Sequence, residues 1–224
     1  MNTKKYLWNE NHFDMNYTVF YPDMYQGLPL IVYLHGAGER GVIEEHLYRH
    51  GIPKLIREGK EIPAVVLCPQ CPEWAVWDNV VERVKSIIDS VAEEFSILAD
   101  RITITGSSMG GFGTWMMGLT YNNFFAGIAP VAGGGMSWRT ANLKRTPVFA
   151  IHGVEDSVVP ISYSELMVKG VNNAGGSAVL LPLPGKEHND GIDAAYRETD
   201  VIEWLTAQRR KDFSKQPEVC SEYF

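Results

Sequence analysis

Three residues far apart in a chain of 224 carry side chains that together could split an ester or an amide: Ser108, Asp156 and His188. A serine hydroxyl is a weak nucleophile at neutral pH, so it needs a base within hydrogen-bond reach, and that base needs a group to orient it. Ser108 stands at the centre of Gly106-Ser107-Ser108-Met109-Gly110. This fits G-x-S-x-G, whose glycines let a strand turn sharply into a helix and present the central side chain. His188 would take the Ser108 proton during attack on a carbonyl and return it to the leaving group. Asp156 would hold the imidazole in one tautomer and stabilise the imidazolium. Rivals exist at each position. Ser107 lies off the motif's centre, Glu155 and Asp190 flank the acid and the base, and His152 sits at a strand end where it reads as structural. A plain turn serine is the bland alternative for Ser108, and the acid and base downstream argue against it.

Charge that develops on the attacked oxygen needs donors fixed in advance. The backbone N–H of Met109 is one candidate, and that of Ala37 is the other, with Gly38 a near alternative. Both of the latter lie in the glycine-rich stretch His35-Gly36-Ala37-Gly38-Glu39-Arg40-Gly41, which follows an apolar run and can turn its N–H groups toward an anion. His35 reads as a residue that holds this stretch, and Glu39 and Arg40 as a pair that braces it or faces solvent. Trp74, Trp77, Phe112, Met136 and Trp138 fall in or beside loops at the same edge. They are candidates to line an acyl or aryl pocket, with core filling as the alternative, whereas Trp115 reads as core.

The elements that must position these residues alternate. Pro29–Leu34, Pro63–Cys68, Ile102–Thr105, Gly127–Ala132, Pro147–His152 and Ala178–Leu181 are apolar runs of strand length. Continuous rather than alternating hydrophobicity is expected of strands covered on both faces of a parallel sheet. Between them, Val80, Val81, Val84, Ile87, Ile88, Val91 and Phe95 recur at helical spacing behind Asp78, read as an N-cap. Pro160 opens a second helix that Gly175-Gly176 closes, and Asp193 is read as the cap of a last helix bearing Ile202 and Leu205. Tyr17–Tyr21 reads as an edge strand. The fold class is therefore α/β, a three-layer α/β/α sandwich with a mostly parallel sheet. Residues 133–146 are too few for a large lid, and the chain reads as one domain with its core over about 29–205 and a polar, loose tail over 209–224.

Gly106-Ser107-Ser108-Met109-Gly110-Gly111, Leu34 through Gly41, His152-Gly153-Val154-Glu155-Asp156 and Glu187-His188 together resemble the α/β-hydrolase superfamily. The order serine, acid, histidine is that superfamily's order. More narrowly, the HGAGERG stretch is similar to small carboxylesterases of the dienelactone hydrolase, phospholipase/carboxylesterase and prolyl-oligopeptidase-like group. The resemblance implies a serine carboxylesterase that needs no cofactor or metal. It covers roughly residues 29–205. A cysteine nucleophile is usual in dienelactone hydrolases proper, and this elbow carries Ser108 instead.

A formal charge of −7 with no dense Lys/Arg block argues against nucleic acid or an anionic membrane surface as the main partner. No stretch approaches the ~18 apolar residues of a membrane helix, and the opening residues lack the apolar core of a signal peptide, so a cytoplasmic location is expected. Three cysteines make no disulfide framework. Cys68-Pro69-Gln70-Cys71 has redox or zinc spacing, which supports a binding or redox module as the reading outside hydrolases. The expected partner is a small-molecule ester with a short acyl group or an aromatic one, and acetylated or feruloylated carbohydrate is a plausible target. Peptidase or thioesterase activity is the alternative within enzymes.

Overall fold

The computed structural model describes residues 1–7 and 9–211. Eight strands form one sheet: β1 (Asn2–Tyr6), β2 (Tyr17–Tyr21), β3 (Leu30–Leu34), β4 (Val65–Pro69), β5 (Ile102–Ser107), β6 (Gly127–Val131), β7 (Val148–Gly153) and β8 (Ala178–Leu183). Their order is β1-β2-β4-β3-β5-β6-β7-β8. The first two strands pair antiparallel, β2 joins β4 antiparallel, and every later pairing is parallel. Six α-helices cover the sheet: α1 (Gly51–Arg57), α2 (Val81–Glu94), α3 (Met109–Thr120), α4 (Ser162–Asn173), α5 (His188–Arg197) and α6 (Val201–Ala207).

Two apolar cores explain the continuous runs. Leu30, Val32 and Leu34 of β3 face one way, against Ile88 of α2, Trp115 of α3 and Met167 of α4. Ile31 and Tyr33 of the same strand face the other way, toward Ile52 of α1, Tyr196 of α5 and Leu205 of α6. Each strand residue thus finds an apolar layer whichever way it points, and at about 25 cal/mol per Å² of buried apolar surface these layers dominate the stability of the fold.

Several local expectations are corrected. Tyr17–Tyr21 is a strand but not an edge: β1 lies outside it, exposed and carrying Lys4 and Lys5, which suits a strand whose outer face has no partner. Asp78 does not cap α2. A 3-10 turn over Trp77–Val80 precedes that helix, and Asn79 Oδ1 accepts the N–H of Val76 at 3.3 Å. Asp193 sits inside α5, where its carboxylate takes His50 Nδ1 at 3.0 Å and Lys54 Nζ at 2.6 Å and so ties α5 to α1. Burial opposes ionisation of the Asp193 carboxyl, and the hydrogen bonds from His50 and Lys54 outweigh it and hold the group below its usual range. The final helical stretch is accordingly two helices, with Asp200 immediately before the second. The tail expected from 209 lies mostly outside the described residues. Its first part is anchored, with Arg209 on Asp100 at 2.9 Å and Arg210 Nη1 on the carbonyl of Asn123 at 2.7 Å.

Candidate active site

The sharp turn between β5 and α3 is built by close backbone approach. A Cβ on Gly106 would stand 2.5 Å from both Leu34 O and Gly110 O, and one on Gly110 only 1.9 Å from Leu34 O. Neither obstacle is a flexible side chain, so no rotamer relieves it. Gly110→Ala is expected to destabilise the protein by at least about 3 kcal/mol through overpacking against backbone. A thermal melt should then show a midpoint roughly 6–12 °C lower. With the chain drawn in so tightly, Ser108 adopts φ 55° and ψ −119°, in the left-handed half of φ that residues with side chains rarely occupy. Its side chain thereby leaves the sheet edge. Ser107 points into the core instead, buried, with its Oγ 3.1 Å from Tyr33 Oη.

His188 opens α5, and Asp156 lies in the turn after β7. The His188 Nδ1 to Asp156 Oδ2 distance is 2.7 Å, and His188 Nε2 lies 2.9 Å from Ser108 Oγ. Because Oδ2 is a carboxylate acceptor, Nδ1 carries the proton and Nε2 offers its lone pair to the serine. Asp156 is buried and its other oxygen is engaged too: Oδ1 accepts the N–H groups of Val158 at 3.0 Å and Val159 at 2.8 Å. The carboxylate is therefore fixed on both sides. His152 is not available as a base. It is fully buried, donates Nε2–H to Val159 O at 2.8 Å, and has Nδ1 2.8 Å from Ser164 Oγ; burial pushes its pKa down, so it is neutral.

The stretch after β3 forms a 3-10 turn over Ala37–Glu39 whose carbonyls are all taken by side chains. His35 Nδ1 lies 2.6 Å from Gly36 O while its Nε2 accepts the N–H of Cys71 at 2.9 Å. Burial lowers the His35 pKa to about 4, and the neutral ring with Nδ1–H fits both bonds. Arg40 Nε donates to Ala37 O at 3.0 Å, Arg49 Nη1 to Gly38 O at 2.6 Å, and Gln70 Nε2 to Glu39 O at 3.0 Å. The Glu39 carboxylate turns back under the turn, where the N–H groups of Gly36 and of Glu39 itself favour its charged form, while burial, the larger effect, raises its pKa. Its Oε2 has no hydrogen-bond partner and would lie 3.0 Å from a Cβ on Gly36. The same turn carries the N–H groups of Ala37 and Gly38, and it starts close to the elbow: a Cβ on Gly36 would lie 3.6 Å from the Ser108 Cβ. Sequence reasoning had no signal for the part played by Arg49 and Gln70, which are remote in the chain.

Of the five side chains expected to line a pocket, the structure separates the set. Phe112, one turn after Ser108, meets Tyr163 edge-on with ring centroids 5.7 Å apart, and Tyr163 is 48% exposed. Tyr163 went unread in the sequence because only the fold brings α4 to the elbow. Met136 is partly exposed at the end of the loop after β6. Trp77 is corrected: it is 2% exposed, its indole N–H donates to His35 O at 2.9 Å, and it packs on Gly113, so it props the turn from within. Trp138 is placed by its neighbours in the chain. It is 55% exposed on a 3-10 segment, Ser137–Leu143, whose Arg139 and Asn142 hold Leu119 O near the end of α3. Trp74 is 72% exposed and stands beyond Arg40.

With this geometry in view the relatives can be read. A sequence profile described as Phospholipase/Carboxylesterase matches residues 72–191, more than half of the chain. The chain belongs to this family. The phospholipase/carboxylesterase family is part of the α/β-hydrolase superfamily. The chain superposes on the crystal structure of a thermostable esterase with a TM-score of 0.78 and 27% identity, over 93% of this chain and 63% of that one. A feruloyl esterase module from Clostridium thermocellum shares the fold at a TM-score of 0.70, with 16% identity over 97% of this chain and 90% of the module. By sequence, 93 residues are 31% identical to a poly(3-hydroxyalkanoate) depolymerase C of Paucimonas lemoignei, 42% of this chain and 22% of that protein. A further 30% identity over 99 residues links it to a bifunctional acetylxylan esterase/xylanase of Neocallimastix patriciarum, covering 42% of the chain and 15% of the relative. The matched stretch thus spans less than a quarter of either curated relative.

The Cys68/Cys71 spacing has no redox geometry. The two side chains lie in different core layers, Cys68 with α1, α5 and α6 and Cys71 with α2, α3 and α4. Burial pushes the Cys68 thiol well above its usual range and that of Cys71 up to about 12, so neither forms thiolate at neutral pH. Treating the native protein with a thiol-labelling disulfide at pH 8 is expected to leave both unlabelled on peptide mapping. Among the described residues no helix is long and apolar enough to cross a membrane.

Proposed function

We propose that the protein is a serine carboxylesterase that forms an acyl-enzyme on Ser108 and acts on short-chain or aromatic esters. The observation that carries this is the unbroken line from Asp156 Oδ2 through His188 to Ser108 Oγ, with separations of 2.7 and 2.9 Å. Ser108 Oγ attacks the ester carbonyl as its proton passes to His188 Nε2, and the imidazolium is stabilised by Asp156. The carbonyl oxygen becomes an oxyanion that receives the N–H groups of Met109 and Ala37, with Gly38 beside them; one such donor typically contributes about 10²–10³ in turnover. His188 then protonates the departing alkoxide. Water, deprotonated by the same Nε2, attacks the acyl carbon and frees Ser108. Phe112 and Tyr163 border the nucleophile on the α4 side and supply an apolar wall for the acyl group. No metal or organic cofactor is needed for any step.

No large lid separates the elbow from solvent, so the rate should rise smoothly with the concentration of a soluble ester and show no jump when an oil interface forms. Rapid mixing with 4-nitrophenyl acetate tests the mechanism. A burst of one nitrophenol per chain, with an acetyl adduct on the peptide that bears Ser108, is expected. A linear time course without adduct would remove the acyl-enzyme.

A further inference from the structure

We propose that the cavity under Trp74 is a saccharide-binding subsite for the alcohol part of the ester, so that the natural substrate is an acylated sugar rather than a phospholipid. This rests on the ester hydrolysis at Ser108 proposed above. The cavity holds about 260 Å³ and is bordered by Asp14, Asn16, Gly41, Gln70, Glu73 and Trp74, together with Met15, Val42 and Pro72. It falls below the roughly 300–1,000 Å³ of sites for drug-sized ligands, which suits a single ring.

The chemistry of its walls selects the ring. Trp74 is 72% exposed, an unusual cost for the largest apolar side chain unless something covers it. One face of a pyranose is a patch of C–H groups that lies flat on an indole, while its hydroxyls project sideways and need acceptors and donors. Asp14 and Glu73 offer carboxylate acceptors at the rim, and both side chains are exposed and without an ion-pair partner among the described residues. Asn16 adds a carboxamide. Cations are what a phosphodiester headgroup would need, and the two nearest are turned to backbone carbonyls: Arg40 to Ala37, Glu73 and Ala75, and Arg83 to Asp14 O. Asp14 and Glu73 can accept from the hydroxyls of a neutral polyol, while Arg40 and Arg83 spend on backbone carbonyls the donors that a phosphodiester would need.

The cavity is coupled to the reacting centre. Gly41 continues the turn that carries Ala37, and its N–H donates to Cys71 O at 2.9 Å. The Arg40 guanidinium spans from Ala37 O at 3.0 Å to Glu73 O at 3.4 Å. One guanidinium therefore lies between the turn that carries Ala37 and the loop that bears Trp74, and we take the sugar ring of the substrate to extend along this side.

The test uses the full chain with acetylated xylotriose, 4-nitrophenyl acetate and lysophosphatidylcholine as substrates. Trp74→Ala is expected to lower kcat/KM for acetylated xylotriose about tenfold more than for 4-nitrophenyl acetate, mainly through KM, and Trp74→Phe to restore most of the difference. Independently, unacetylated xylotriose should quench tryptophan fluorescence of Ser108→Ala saturably, and the quench should vanish in Ser108→Ala/Trp74→Ala. If Trp74→Ala affects both acetates equally, or xylotriose leaves the fluorescence unchanged, the subsite is overturned. A Trp74 effect confined to lysophosphatidylcholine overturns it in favour of a lipid site. Loss of the Ser108 mechanism would show separately, as a nitrophenyl acetate rate that survives Ser108→Ala, and the xylotriose titration would still decide the subsite.

Discussion

Ser108→Ala is expected to lower kcat for 4-nitrophenyl acetate by about 10⁶-fold, the scale on which removal of a serine nucleophile acts when histidine and acid remain. Every other part of the site stays as it is. The substitution retains the Cβ, so the φ of 55° is no more strained than before, and the Oγ removed makes its one hydrogen bond to His188. The melting temperature should accordingly move by only a few degrees, which separates loss of chemistry from loss of fold. Residual turnover of about 10³–10⁴ over water would come from the oxyanion donors and binding alone. A variant that keeps more than a tenth of the wild-type rate, with the same burst, would exclude Ser108 as the acylated residue.

The second large effect is expected of Asp156→Asn, for a reason visible in the hydrogen bonds. Oδ1 accepts from two backbone N–H groups, of Val158 and Val159, and an amide nitrogen cannot replace it there without two donors meeting a donor. The Asn carboxamide must therefore turn its oxygen to those N–H groups and its NH₂ toward His188 Nδ1. The imidazole answers by moving its proton to Nε2, where it points an N–H at Ser108 and can no longer accept. A loss of about 10⁴ in kcat is expected, comparable with the same exchange in a serine protease triad. Nitrogen chemical shifts of His188 would report the change of tautomer directly. A decrease of less than tenfold, or a proton still on Nδ1, would show that Asp156 does not orient the base.

Much of the fold was legible because both faces of the sheet are buried: strands β3 to β7 announce themselves as unbroken apolar runs. The first strand did not. Its residues are exposed and polar, and only pairing with β2 makes it a strand. α1 was missed since Gly51-Ile52-Pro53 carries the look of a turn, and Gly51 owes its place to a φ of 65° and to Tyr33, whose hydroxyl would lie 2.2 Å from a Cβ there. Asp193 looked like a cap because acidic residues favour helix starts, yet its partners His50 and Lys54 come from another helix and outweigh that local preference. The same division holds at the site. Ser108, Asp156 and His188 could be chosen from one motif and from strand ends, whereas Trp77 could not be told from a pocket residue, since direction within a loop is decided by what it packs against. Tyr163 and Gln70 reach the site only through folding.

The turn that carries Ala37 is held at successive carbonyls by His35, Arg40, Arg49 and Gln70, each drawn from a different place in the chain or facing a different neighbour. Donors anchored in this way need no substrate to organise them, so the cost of aligning the N–H groups is met once, when the chain folds, and not in each catalytic cycle. Under the proposed mechanism, this also separates the part of the molecule that would perform acyl transfer from the parts that would choose the ester. The loops bearing Trp74 and Met136 can change length or residues while the carbonyl anchors stay in place, which gives one scaffold room to exchange substrates without rebuilding its chemistry.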